Sequence, residues 1–202
     1  METADRYRRE SLRARDKLSL SELKKKSEAI HERFLQLIES IPNQTIFIYV
    51  SFRSEVDTIT LIGKLLASGR IVTVPLVSMA SKSMRAVRLI DPEKDLVPGY
   101  FGILEPKEDI VSERMVDPST IDIVVMPGSA FDLRGGRLGY GGGFYDRFLV
   151  KKISSWANRI ALSFELQIHD QVPQQAHDQP VDFIISEERI IVGTPMRRDR
   201  PQ

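Results

Sequence analysis

Three runs of this chain are nearly free of polar side chains: TIFIYV at 45–50, IVTVPLV at 71–77 and IDIVVM at 121–126. A strand with one wet face alternates apolar and polar residues. A strand covered on both faces has no polar side to show and reads as a continuous apolar run. Between the first two runs, Thr58 to Ser68 places Ile59, Ile62, Leu65 and Leu66 at helical spacing, and Gly69 follows where a helix C-cap is expected. Strand, helix, strand with buried strands is the pattern of a parallel sheet with helices on both faces.

The remaining segments extend that pattern. Ser19-Leu20-Ser21-Glu22 has the form of a capping box. Leu20, Leu23, Ile30, Phe34, Leu37, Ile38 and Ile41 then mark one apolar face of a long helix that Pro42 should end. Further strands are expected at 84–90, 159–164, 181–186 and 189–192, a helix at 144–152, and an ordered loop over DLVPGYFGILEPKED. At 202 residues the chain is expected to be one domain spanning 1–202, with a flexible tail from about 194. The predicted class is α/β: a single-domain, mainly parallel β-sheet flanked by helices on both faces, a Rossmann-like three-layer architecture.

Composition limits the chemistry. There are no cysteines, which removes disulfides, thiolate nucleophiles and Cys-zinc sites. Formal net charge is +1, so no global field draws the chain to nucleic acid or membrane, and any anion site must be local. The N-terminus lacks the apolar core of a secretory signal, and no apolar run approaches the roughly 20 residues that span a bilayer. A cytoplasmic monomer acting on small molecules is the expectation. Residues 6–17 carry Arg6, Arg8, Arg9, Arg13, Arg15 and Lys17, diluted by Glu10 and Asp16. They read either as a solvated charged helix or as an arm that gives cations to an anionic ligand. The three histidines show no metal spacing, and His31, on the long helix, reads as a surface residue.

Seven of the twelve glycines lie between Gly128 and Gly143, just after the run at 121–126. Packing a strand on a helix needs one or two. A longer glycine-rich loop entering a helix can aim several backbone N–H groups, and the helix's positive end, at a phosphate. Ligands of open α/β sheets collect at the carboxyl ends of the strands, where both this segment and the Ser51–Asp57 loop emerge. Neither GxxxxGK[ST] nor GxGxxG fits the segment, so its cation must come from elsewhere, and Arg137 is nearest. Asp146 can offer a carboxylate to a hard cation such as Mg²⁺, and Asp178 and Asp182 in HDQPVD can approach the same face.

PGSAFDLRGGRLGYGGGFYDRFL at 127–149 resembles the signature block of the 5-formyltetrahydrofolate cyclo-ligase (5,10-methenyltetrahydrofolate synthetase) family. LSLSELKKKSEAI, IFIYVSFRSEVDT, DLVPGYFGILEP and ALSFELQIHDQVPQQAHDQPVDFIISEERII resemble its other blocks in order. The resemblance implies an ATP- and Mg²⁺-dependent ligase that makes 5,10-methenyltetrahydrofolate from 5-formyltetrahydrofolate through a phosphorylated formyl group. It implies that Arg137, Leu138, Gly139, Tyr140, Gly141, Gly142, Gly143, Phe144 and Tyr145 line the ATP site, with Arg137 catalytic. By the same resemblance Tyr140, Gly141, Gly142, Gly143 and Phe144 also face the folate, Val50 and Glu55 contact it, and Asp146 and Asp178 hold Mg²⁺. In the N-terminal arm the family's Leu-Arg falls on Tyr7-Arg8, so Arg8 carries over to ATP and substrate. The family's lysine falls on Ala4, and Arg6 is the expected substitute for ATP. Two other readings stay open: a nucleotide- or folate-binding protein with a decayed site, against which the retained Arg137, Asp146 and Glu55 argue, and a sugar-phosphate isomerase or acyl transferase on a related scaffold.

Overall fold

The computed structural model describes residues 2–41, 43–154 and 156–193. Pro42 and the tail from 194 lie outside them. The chain begins with helices α1 (Glu2–Arg15) and α2 (Leu20–Glu39), then β1 (Thr45–Ile48), α3 (Thr58–Ala67), β2 (Ile71–Ser78) and β3 (Ser83–Leu89). A short helix α4 (Pro92–Asp95) leads into a hairpin of β4 (Leu96–Pro98) and β5 (Leu104–Pro106), followed by α5 (Glu108–Arg114) and β6 (Met115–Val116). After β7 (Ile123–Met126) come β8 (Ala130–Asp132), β9 (Arg137–Leu138), α6 (Phe144–Lys152), β10 (Asn158–Leu162), β11 (Ile168–His169), β12 (Phe183–Ile185) and β13 (Ile190–Val192).

Eight strands form the main sheet, in the order β13-β12-β10-β7-β1-β2-β3-β6. The five from β12 to β2 pair in parallel, and β13, β3 and β6 add antiparallel margins. Side chains alternate between two cores, as the two-residue strand period requires. Ile46, Ile48, Ile123, Val125, Ile160 and Leu162 face α2 and α3, meeting Ile30, Phe34, Leu61 and Leu65. Phe47, Val124, Met126 and Ala161 face the other way and meet Phe148 and Leu149 of α6. The expected three layers are therefore present, with β1 and β7 buried at every position. The capping box is also present: Ser19 accepts the Glu22 N–H, and the Glu22 carboxylate accepts the Ser19 N–H at 2.8 Å.

A smaller sheet, β11-β8-β9, stands beside the main one and carries the start of the glycine segment. Its organising group is the buried Asp132 carboxylate. Asp132 Oδ1 accepts the N–H groups of Arg134 and Gly136 at 2.9 and 2.8 Å, and Oδ2 accepts that of Val172 at 3.0 Å. Gly135 turns there with φ +91°, and a Cβ on it would lie 2.4 Å from the Val181 carbonyl oxygen. Only glycine meets both conditions.

His31 is not on the surface. It is 1% exposed, and its Nε2 hydrogen-bonds the Asp57 carbonyl oxygen at 2.5 Å, while Nδ1 has no partner among the described residues. The α2 face on which it lies is the one packed on the core, so a polar residue at a core position was read as solvent-facing. Burial pushes its pKa below 6.5, with Lys64 acting in the same direction and Asp57 and Glu28 against it. The unfolded chain then binds more protons than the folded one below about pH 6.5, so this site costs stability as the pH falls. His31→Gln keeps an N–H donor for Asp57 and removes the titration. In denaturant melts the stability advantage of the wild type over His31→Gln should shrink between about pH 7.5 and about pH 5; a constant gap would show that His31 titrates alike in both states.

Candidate active site

The carboxyl ends of the parallel strands open on one side of the sheet. The loop after β1 is fastened by reciprocal bonds: Ser51 N–H to Thr58 Oγ1 at 2.8 Å and Thr58 N–H to the Ser51 hydroxyl at 3.1 Å. Thr58 also donates to the Tyr49 carbonyl at 2.6 Å. These bonds fix the span that presents Glu55. The glycine segment leaves β7 beside this loop and ends at α6, whose N-cap Gly143 has φ +62°, a left-handed conformation that favours glycine.

Arg137 lies beneath that segment and is only 5% exposed. One terminal nitrogen donates to Asp146 Oδ1 at 2.9 Å and the other to the Pro127 carbonyl at 3.3 Å. Its guanidinium carbon lies 5.8 Å from the centre of the Tyr145 ring. Nε is buried without a partner among the described residues. Gly139 makes room for the guanidinium, since a Cβ there would lie 2.9 Å from Arg137 NH1. Asp146, in the first turn of α6, also accepts the Gln179 N–H on Oδ1 at 3.1 Å. Both bonds fall on the same oxygen.

Two cavities meet at this pair. The larger, about 540 Å³, takes Val50 and Glu55 from the loop after β1, Tyr140 and Phe144 from the glycine segment, and Leu12 and Arg15 from α1. Met79, Met84 and Leu104 close its apolar side. The second, about 520 Å³, lies between the N-terminal turns of α1, with Ala4, Asp5 and Arg8, and the loop bearing Gln175, His177 and Asp178. Arg137, Gly139, Gly143 and Asp146 line both.

Glu55 places its carboxylate in the larger cavity, and burial pushes its pKa up. A hydrogen bond from Tyr140 to Oε1 at 2.5 Å, one from the Phe52 N–H to Oε2 at 2.9 Å and the charge of Arg15 act the other way. Burial also raises the phenols of Tyr49, Tyr140 and Tyr145, which stay protonated donors at neutral pH. The wall is thus apolar and aromatic with a few polar groups that fix orientation, the usual make-up of a small-molecule site.

Of the residues singled out in the sequence, Val50, Glu55, Tyr140, Gly142, Phe144 and Tyr145 line the larger cavity. Arg8, Leu138, Gly141 and Asp178 line the second. Arg8 Nε also donates to the Gly139 carbonyl at 2.8 Å. Arg8 thus reaches the second cavity but does not line the larger. Arg6 is not brought to either; it pairs with Glu10 at 3.0 Å on the exposed side of α1. Asp182 lies elsewhere and accepts the Arg159 N–H at 2.8 Å. Arg15 and Leu12 were not singled out as site residues. Their signal was the spacing: Arg8, Leu12 and Arg15 stand four and three apart, on one helical face.

The second cavity offers two carboxylates, Asp146, which accepts both its bonds on Oδ1, and Asp178, whose Oδ2 accepts the Gln175 N–H at 2.7 Å. No group of three or more metal-ligating side chains occurs among the described residues. Two hard oxygen donors suit an ion that keeps several waters, and do not suit a closed protein cage.

The family model described as the 5-formyltetrahydrofolate cyclo-ligase family matches residues 1–187. The mouse protein named 5-formyltetrahydrofolate cyclo-ligase is 32% identical over 151 residues, covering 72% of this chain and 74% of its own. The Escherichia coli K12 protein of the same name is 31% identical over 147 residues, covering 72% and 79%. The NMR structure of Aquifex aeolicus 5,10-methenyltetrahydrofolate synthetase superposes with a TM-score of 0.80 at 28% identity, over 98% of this chain and 96% of that one. The Mycoplasma pneumoniae synthetase shares the fold, with a TM-score of 0.72 at 20% identity, over 92% and 99%. No helix among the described residues is long and apolar enough to cross a membrane. With a family match across most of its length, relatives of over 30% identity and the same mainly parallel α/β fold, the chain belongs to the 5-formyltetrahydrofolate cyclo-ligase family and is an enzyme of the ligase class.

Proposed function

We propose that the enzyme joins the formyl carbon of 5-formyltetrahydrofolate to the neighbouring folate amine, using ATP and Mg²⁺ and releasing ADP and phosphate. The observation that carries this reading is the meeting of two cavities at Arg137 and Asp146. The apolar, aromatic cavity suits a flat heterocyclic substrate. The second, with Arg8, glycine N–H groups and the amino end of α6, suits a polyphosphate. A phosphoryl group passing between two bound substrates must cross their common boundary.

The formyl oxygen attacks the γ-phosphorus, the bond to ADP breaks, and the formyl group becomes an activated phosphate. The folate amine then attacks the formyl carbon and gives up its proton to solvent, phosphate departs with the oxygen, and the methenyl bridge is closed. No protein nucleophile is needed, in keeping with a chain that has no cysteine. Arg137 is held by Asp146 and Pro127 and needs little reorganisation to steady the charge on the moving phosphoryl group. Asp146 and Asp178 would hold Mg²⁺, which when bound neutralises phosphate charge and aids ADP departure. Arg8 is the arm's cation for the nucleotide, with Ala4 where the family has lysine. The enzyme is read as a cytoplasmic monomer that acts on neither nucleic acid nor membrane.

Mixing the protein with 5-formyltetrahydrofolate, ATP and Mg²⁺ should give an ATP-dependent rise in the near-ultraviolet absorbance of the methenyl product, abolished by chelation. A folded protein that gives no rise would overturn the reading. Arg137→Ala should lower kcat by about 10²–10³-fold with an unchanged circular dichroism spectrum; undiminished turnover would remove Arg137 from the chemistry. Asp146→Asn should raise the Mg²⁺ concentration for half-maximal rate far more than the KM for folate. The opposite pattern would place Asp146 outside the metal site.

A further inference from the structure

One helix touches both cavities. The N-terminal turns of α1 line the second cavity through Ala4, Asp5 and Arg8, and Leu12 and Arg15 line the larger one. Arg8 and Arg15 stand seven residues apart, two turns on the same face. They grip consecutive residues of the glycine segment: Arg8 Nε donates to the Gly139 carbonyl at 2.8 Å, and Arg15 NH1 donates to the Tyr140 hydroxyl oxygen at 3.0 Å.

The Arg15 contact continues inward. The Tyr140 hydroxyl donates to Glu55 Oε1 at 2.5 Å, and the Phe52 N–H donates to Oε2 at 2.9 Å. Arg15 Nε donates to the Ser54 hydroxyl oxygen at 3.1 Å, and the Ser54 hydroxyl donates to Asp16. Arg15 is itself buried, at 5% exposed, whereas the Tyr140 ring is 50% exposed. A carboxylate has about four acceptor positions. Two on Glu55 are taken, one per oxygen, and the carboxylate lines the cavity with one position left on each. That arrangement matches a ligand edge carrying two adjacent N–H donors, such as the amino-pyrimidinone edge of a folate ring.

We propose that Arg15 is a positioning residue for the folate substrate, acting through the Tyr140 hydroxyl to hold the Glu55 carboxylate turned toward the two N–H donors of the ring. The inference rests on the folate-ligase reading above. Its physical need is plain. Burial favours the uncharged form of Glu55, and an uncharged carboxyl would meet a donor edge with one donor of its own. Arg15, Tyr140 and the Phe52 N–H oppose that tendency, and Tyr49 and Tyr145, which also interact with it, are neutral phenols at working pH, while Asp16, Arg53, Glu105, Arg137 and Asp146 are the further charged groups of the same cavity. The Arg15 charge lowers the Glu55 pKa, and no substrate contact is given to Arg15 itself.

Arg15→Gln and Tyr140→Phe are the variants. Tyr140→Phe removes one oxygen from a half-exposed ring and leaves packing in place, so it reports even if Arg15→Gln folds poorly. For each, the KM for 5-formyltetrahydrofolate should rise by about tenfold, the loss of one charge-linked hydrogen bond, with kcat and the KM for ATP changed far less. The acid limb of kcat/KM for folate should move to higher pH, because the interactions that lower the Glu55 pKa are gone. Arg15→Lys, which keeps the charge, should restore much of the limb while leaving KM raised. A wild-type enzyme that forms no methenyl product would overturn the reading of function. Wild-type activity with variants that show an unmoved acid limb, or losses spread equally over both substrates, would overturn the role of Arg15 and leave that reading standing.

Discussion

A strand that is buried on both faces leaves the protein few choices. β1 and β7 have no exposed side chain, so each needs a neighbour on both edges for its backbone groups and a helical layer above and below. Parallel pairing meets the first need and requires crossover connections, and the crossing helices meet the second. The same pairing turns the carboxyl ends of β1, β2, β7 and β10 to one side. The segments that must leave those ends, one with Glu55 in its loop and the other with Arg137 on β9, are brought together by the demand that apolar strands be dry. The site follows from the packing.

Within that frame the buried Arg137 sets the local rules. A guanidinium withdrawn from water needs charge and acceptors around it, and Asp146 and the Pro127 carbonyl supply them. A side chain at 139 would press on its terminal nitrogen and displace it. Asp146 must then sit in the first turn of α6, where the helix's positive end favours a carboxylate. What reads in the sequence as an expensive run of glycine is therefore several separate requirements in a row. Gly135 turns around Asp132, Gly139 clears a cation, and Gly143 opens a helix.

How much of this was legible in the sequence differs with the length of the feature. The strands at 71–77 and 121–126 were legible because continuous apolar runs have few other uses, and the capping box gave the start of α2 to the residue. The segment 95–109 was expected as one loop. It holds the β4–β5 hairpin and the start of α5, because three-residue strands carry no periodicity and α5 shows one buried residue, Val111. The β11-β8-β9 sheet was invisible for the same reason. His31 misled because a buried, hydrogen-bonded histidine and a surface one look alike in a sequence. In the site, Arg137, Asp146, Glu55 and the glycines were legible through the family blocks. Arg15 was not, since a charge among other charges reads as solvated until a partner far along the chain is known.

That last difficulty explains the character of α1. Its cations are not equivalent, although composition presents them as one basic run. Arg6 faces solvent and pairs with Glu10 four residues on, an exchange worth little in water. Arg8 and Arg15 fall on the opposite demand: each gives up hydration to donate to a residue more than a hundred positions away, Gly139 and Tyr140. Ser11, between them, hydrogen-bonds His169 at 2.8 Å, and Tyr7 meets the same ring edge-on at 5.0 Å. Helical spacing sorts the arm into a wet face and a docked one, and the docked face sets the polar Arg8, Ser11 and Arg15 among Ala4, Tyr7 and Leu12. A near-neutral chain can therefore build a cationic wall without a basic surface, because the charges that matter are turned inward and matched one by one to acceptors.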